Sequence, residues 1–317
     1  MTTRHRLALT ALILCLFAPF AFGQSFGKGF AADTSDELQK LLDSAVSATL
    51  KDFASRGLKD SEFAVTVIDV SDPKNLRSAG YRRGEPIYPA SVVKMFYMAA
   101  LHQFELDGKI EVTDEVRRGL SDMITVSSND ATGYILDVLT HTSSGAEMPQ
   151  DEYENWAFRR NIVNRYYASL GYTGINVNQK TFCEDAYGVE QQFRGYKGEN
   201  RNMLTTDATA RLLAEIVLGK AVNADRSREM MKLMVREWEK PVSDPGDREF
   251  ISPALDPGTK LWSKEGWTSK TRHDAAYIET PDGLKLVFAI FTENHTEETG
   301  IIPGIARRVL DGLRSTK

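Results

Sequence analysis

Hydrophobic positions recur along this chain with two different periods, and the alternation between them outlines an architecture. Behind Thr34-Ser35-Asp36-Glu37, the residues Leu38, Leu41, Leu42, Ala45, Val46, Leu50 and Phe53 fall at helical spacing, so an amphipathic helix opens the domain. Phe63 to Val70 is β-branched and alternating, which predicts a strand, and a second short strand follows the turn at Asp72-Pro73. From Ser91 to about Phe104 the chain is apolar on every side, the pattern of a helix buried in the protein centre. Residues from about 111 to 240 read as mostly helical with long loops, including helices over Thr206 to Leu218 and Arg226 to Trp238. Strands return at Leu261 to Gly266, Ala275 to Glu279 and Leu284 to Phe291, the last two joined by Pro281-Asp282-Gly283 as a hairpin turn, and Ile305 to Leu313 closes as a helix. Strands at both ends around a helical middle predict an α/β (α+β) fold. Its antiparallel sheet is built from both chain ends and flanked by helices, and an all-helical lobe is inserted between its strands. The sheet lobe is expected over about residues 30–88 and 250–317 and the helical lobe over about 89–249, with the site in the cleft between them.

The first residues change the picture of where this domain works. Arg4 and Arg6 precede an apolar run from Leu7 to Phe22, broken by Pro19 and ending in Ala21-Phe22-Gly23, so residues 1–23 read as a secretory signal peptide cleaved before Gln24. The run is shorter than the ~20 residues of a membrane span, no later segment could span, and the expected product is a secreted or periplasmic domain over 24–317 with no stable membrane anchor. Cleavage removes two arginines and no acids, taking the formal charge from −5 to −7, and removes Cys15, so Cys183 remains alone and no internal disulfide can form. With 42% hydrophobic and 26% charged residues, the 317-residue chain is neither disordered nor collagen-like. Acids outnumber bases 44 to 39 without a Lys/Arg block, which argues against a nucleic-acid partner. A monomer is expected.

Three short segments carry candidate chemistry. In Pro89-Ala90-Ser91-Val92-Val93-Lys94, a lysine three residues after a serine lies on the same helix face about 4.5 Å further on, within reach of the hydroxyl. The helix N-terminus offers free N–H groups and the positive end of the dipole, which favour an oxyanion. A lysine buried in an all-apolar helix can lose its proton at neutral pH and take the proton of Ser91. Alone, S-x-x-K describes equally a capping serine and a solvated lysine. In Ile124-Thr125-Val126-Ser127-Ser128-Asn129, Ser127 can relay a proton to a leaving nitrogen and Asn129 can both donate and accept, although a plain capped loop would look alike. In Lys264-Glu265-Gly266-Trp267, the lysine supplies positive charge and Gly266 admits a substrate backbone. The Trp267 N–H could join that of Ser91 in an oxyanion hole; the bland alternative is an edge-strand lysine.

In this order and spacing, S-x-x-K, S-x-N and K-x-G resemble the signature of the penicillin-recognising serine enzymes, the class A β-lactamases and penicillin-binding proteins. The resemblance covers nearly the whole chain after the leader, because Asn202 to Leu213 also resembles the family's helix after the omega loop. It implies an α/β sandwich with an all-helical lobe. It further implies Ser91 as acylated nucleophile, Lys94 as general base, Ser127 as proton relay, Asn129 as substrate-amide binder and Lys264 as electrostatic anchor. The implied substrate is a small-molecule β-lactam or a cell-wall peptide, with no metal and no cofactor.

The sequence departs from the family at several points. Ser128 stands where the family has Asp. Class A enzymes carry an omega-loop glutamate that activates the deacylating water; Glu184 fits from the N-terminal side and Glu190 counting back from Asn202, with Glu184 ranked first, but neither has an asparagine four residues on. The family's further basic residue on the next strand is matched loosely by Arg272 or His273. Most sharply, Glu265 replaces a Thr or Ser whose hydroxyl donates to the substrate carboxylate. At ~5 Å and an effective dielectric near 20, an ionised Glu265 would repel that carboxylate by roughly 3 kcal/mol. Three outcomes are open: Glu265 pairs with Lys264, Lys270 or Arg272, the favoured one; it turns off the active face; or the substrate lacks a carboxylate there and carries positive charge.

Rival classes fit less well. No G-x-S-x-G elbow is present, His5, His102, His141, His273 and His295 form no zinc motif, and class C lactamases place a Tyr where Ser127 stands. The reading is therefore a β-lactamase, with a D,D-peptidase or a non-hydrolytic β-lactam or muropeptide sensor as alternatives. The aromatic insert around Trp156, Tyr166 and Tyr167 is expected to be packing.

Overall fold

Strands from opposite ends of the chain meet at the middle of one sheet. The computed structural model describes residues 30–240 and 250–315, so the expected leader lies outside the described residues. β1 (Asp33–Thr34), β2 (Phe63–Asp69), β3 (Arg77–Tyr81), β4 (Val235–Arg236), β5 (Lys260–Trp267), β6 (Thr271–Glu279) and β7 (Lys285–Glu293) assemble in the order β1-β3-β2-β7-β6-β5-β4. The four large pairings are antiparallel, with Thr66 opposite Ala289 across the β2–β7 junction. β1 lies parallel to β3, so the sheet is mixed only at that edge.

Residue alternation in the central strands divides the core in two. Phe63, Val65 and Val67 of β2 and Leu286, Phe288 and Ile290 of β7 pack with α1 (Asp36–Asp52) and α10 (Ile301–Ser315) on one face. Ala64 and Ile68, with Val287, Ala289 and Phe291, join the helical lobe on the other. Helix α1 begins where Ser35 Oγ accepts from Leu38 N at 3.3 Å, with Asp36 and Glu37 favourably placed at the positive end of its dipole. Truncating one of its fully buried leucines, such as Leu42, removes about 2–5 kcal/mol.

The helical lobe contains α2 (Val93–Leu106), α3 (Asp114–Thr125), α4 (Asn129–Thr140), α5 (Gln150–Arg160), α6 (Ile162–Ser169), α7 (Val189–Arg194), α8 (Thr206–Val217) and α9 (Ala224–Met234). Helix α2 is buried almost all round, as its uniform hydrophobicity predicts. Phe96 meets Tyr167 and Tyr172 edge-on, with centroids 4.9 and 6.2 Å away, and Tyr167 Oη donates to Phe96 O at 2.7 Å. Trp156 packs with Val189 and Phe193 and donates from Nε1 to Ser143 O at 3.0 Å, so the aromatic insert is packing.

Two expectations change. The helix read through Trp238 stops at Met234, and Val235 and Arg236 turn into β4 opposite Trp262 and Leu261. Trp238 then anchors the segment by donating from Nε1 to Thr259 O at 2.8 Å. Its helical spacing comes from packing after a turn, which periodicity cannot distinguish from a longer helix. The closing helix starts at Ile301, earlier than Ile305, because Pro303 lies in its first turn, where a missing N–H costs nothing.

Candidate active site

Three strained or tightly packed backbone segments converge at the start of α2. A 3-10 turn over Ala90–Val92 leads into the helix, with Ala90 at φ +46°. Ser127, the middle residue of the α3–α4 connection, has φ +56°. Non-glycine residues reach this region only when the surrounding structure imposes it. At the third segment, a β-carbon on Gly266 would lie 2.8 Å from Ser91 N, 2.9 Å from Pro89 O and 3.0 Å from Val92 N. Strand β5 therefore seats directly on the Ser91 turn, and only glycine allows it.

This seating gives two N–H groups a common target. Thr268 N donates to Thr271 O at 2.9 Å, so the alternation of an antiparallel ladder turns the Trp267 N–H to the opposite edge of β5. On that edge β4 pairs only with Leu261 and Trp262. The Trp267 N–H is thus directed away from β6, beside the N-terminal amides of the Ser91 turn, an arrangement suited to an oxyanion. Trp267 itself is 65% exposed.

Lys94 is fully buried, and its Nζ donates to Ser127 O at 2.5 Å, Ser127 Oγ at 3.2 Å and Asn129 Oδ1 at 2.8 Å. Burial and then the charge of Lys264 lower its pKa to about 7, against the smaller opposing influence of Glu265 and Cys183. Lys94, Ser127 and Asn129 are thus brought together, with Lys94 three residues beyond Ser91, in the first turn of α2. Ser128 Oγ accepts from Ala131 N at 3.1 Å and caps α4, so the middle residue of this motif orients Asn129 through the helix start.

Lys264, also fully buried, donates to Glu265 O and Glu265 Oε1, both at 2.9 Å. The second partner of Glu265 is Arg236, whose Nη2 lies 3.2 Å from Oε2. Pairing is the favoured outcome of the three, but neither Lys270 nor Arg272 supplies the second cation. Burial alone would raise the Glu265 carboxyl; the charges of Lys264 and Arg236 outweigh it and hold it at about 2. Arg236 carries no signal of this pairing in the sequence, because it sits in a stretch of helical periodicity far from the motif.

The loosely matched basic residues serve other ends. His273 Nδ1 accepts from Thr292 N at 3.1 Å, which leaves the proton on Nε2 to donate to Tyr88 O at 2.8 Å. Burial lowers its pKa to about 4, so it is a neutral tie between β6 and the chain leading to Ser91. Arg272 donates to Thr296 O at 2.7 Å and stacks over Phe250.

Neither candidate glutamate is joined to Lys94 or Asn129. Glu184 is exposed. One residue earlier, Cys183 Sγ accepts from Asn129 Nδ2 at 3.4 Å, a placement that its sequence position beside Glu184 hints at only in retrospect. Glu190 is buried in an ion cluster: both its oxygens engage Arg160 at 2.8 and 3.0 Å, Lys180 lies 3.3 Å away, and Ser144 Oγ donates at 2.8 Å. Glu190→Gln should therefore cost about 3 kcal/mol, since it leaves the buried Arg160 undercompensated. Urea unfolding would measure this; an unchanged midpoint would rule out the structural assignment. Among the described residues no group of three or more His, Cys, Asp or Glu side chains is placed to hold a metal.

A family model described as "Beta-lactamase enzyme family" matches residues 45–313. No curated protein matches the chain. Among solved structures, a β-lactamase from Sphaerobacter thermophilus is similar over 87% of this chain and 98% of its own, at 18% identity and TM-score 0.62. A β-lactamase from Xanthomonas campestris aligns over 87% and 98%, at 16% identity and TM-score 0.60. A mutant of PBP-A in its acyl-enzyme complex with penicillin G aligns over 90% and 100%, at 16% identity and TM-score 0.62. At these identities the likeness is one of fold.

Proposed function

We propose that this chain, which belongs to the beta-lactamase enzyme family, is an exported serine hydrolase that opens β-lactams through an acyl-enzyme on Ser91. The observation that carries this reading is Lys94: buried, held by Ser127 and Asn129, near neutrality in pKa and one turn beyond Ser91. As a free amine it takes the Ser91 proton while Oγ attacks the lactam carbonyl. The Ser91 and Trp267 N–H groups stabilise the oxyanion. Ser127, bonded to Lys94, passes the proton to the departing nitrogen as the C–N bond breaks. Water then hydrolyses the ester.

A second reading, a penicillin-binding peptidase or sensor whose adduct persists, is favoured by Cys183. A thiol side chain, rather than a carboxylate, meets Asn129 beside the base. Intact-protein mass spectrometry with penicillin G separates the two. The expected result is one adduct that decays slowly, decays about tenfold faster in Cys183→Glu, and is altered less than about threefold by Glu184→Gln. A long-lived adduct unaffected by Cys183→Glu favours the second reading. Adduct accumulation in Glu184→Gln would make Glu184 the deacylation base, and the absence of any adduct would overturn both readings.

A further inference from the structure

The cationic end of the cleft already holds a carboxylate, and it belongs to the protein. Lys264 and Arg236 approach from different strands, and each engages a different oxygen of Glu265, at 2.9 and 3.2 Å. This end lies within the site: Lys264 is two residues before Gly266, whose α-carbon seats on the Ser91 turn, and its charge acts on Lys94. We propose that Glu265 is a built-in counter-anion filling the anion-binding end of the cleft, so that the site selects acyl donors with no carboxylate there, neutral esters and amides. This rests on the serine-hydrolase reading given above.

The side chains around Glu265 support the assignment. Lys264 is wholly buried and needs a counter-charge; Glu265, with a side chain 24% exposed, supplies it one for one. Arg236 has a side chain 21% exposed, so solvent screens much of the charge left over. Its Nη2 is further committed to Ile124 O at 3.4 Å. Directly across the ladder from Glu265 lies Asp274, buried, with Oδ2 accepting from Ile251 N at 3.1 Å. Burial and then the charge of Glu265 push the Asp274 carboxyl up to about 7. An incoming carboxylate must either displace Glu265 from two cations or add a further acid to this cluster. A neutral acyl donor meets neither cost.

The test compares penicillin G with its methyl ester, two donors that differ only at the carboxylate, by the second-order rate of Ser91 acylation. In the unmodified protein the ester is expected to acylate at least about threefold faster than the acid. Glu265→Gln, which keeps the shape, and Glu265→Thr should each raise the acid-to-ester ratio at least about tenfold, through the acid. An unmodified protein in which the ester falls short of that preference, or a folded Glu265→Gln variant whose ratio is unmoved, would overturn the inference and leave the serine-hydrolase reading intact. If neither donor acylates Ser91, that reading fails and this one with it. The comparison in the unmodified protein decides the matter even where a variant folds poorly.

Discussion

Ser91→Ala is expected to abolish covalent labelling by β-lactams and to lower their hydrolysis by about 10³-fold or more, while the protein stays folded. The substitution deletes one oxygen at the start of α2, where the fold depends on backbone packing: β5 seats Gly266 against Ser91 N and Val92 N, and His273 holds Tyr88 O. None of these contacts uses the serine hydroxyl. Two other nucleophiles stand nearby, Ser127 Oγ on Lys94 and Cys183 Sγ on Asn129, so labelling should be read by peptide mapping as well as by intact mass. An adduct on either in the Ala variant would move the nucleophile there. Unchanged labelling would remove Ser91 from the chemistry altogether.

Lys94→Ala should slow acylation by about 10²-fold or more, the loss expected for a general base. The informative experiment is the pH profile of the unmodified protein. On the proposed mechanism the neutral amine is the active form, and burial with the Lys264 charge lowers its pKa to about 7. The acylation rate should therefore rise through pH 7 and level off about one unit above it, where an ordinary lysine would go on rising towards pH ~10. The charge of Glu265 raises the Lys94 pKa, so Glu265→Gln should move the rising limb to lower pH. A rate that is flat through neutrality, or a limb that moves upward in that variant, would contradict the assignment of Lys94 as base.

The local elements and the motif residues were legible because their signals are local. The β-branched strand pattern of β2, the apolar run of β7, helical spacing in α1 and the uniform hydrophobicity of α2 report strands buried on both faces, a helix buried on one face and a helix buried all round, and the sheet built from both chain ends follows from their order. Ser91 lies in the 3-10 turn that leads into α2 and Lys94 in the first turn of that helix, while Ser127 and Asn129 flank the cap of α4, so spacing alone could bring each pair close. What remained open concerns contacts between distant segments. The residue that meets Asn129 from the 170–205 region is Cys183, because a long connection fixes which side chain faces inward only when it packs. Glu190, which the same motif counting makes a candidate base, is consumed by Arg160 and Lys180, a cluster assembled from three separate elements. Arg236 reaches Glu265 because α9 ends four residues before its periodicity does and the chain pairs with β5 instead. Sequence therefore determined the sheet-and-helix order and the identity of the catalytic trio candidates Ser91, Lys94 and Ser127. Tertiary structure alone decided which charges neutralise one another around Lys264 and Glu265, because the pKa and pairing of a buried ion depend on every charge within several ångströms, whatever its distance along the chain.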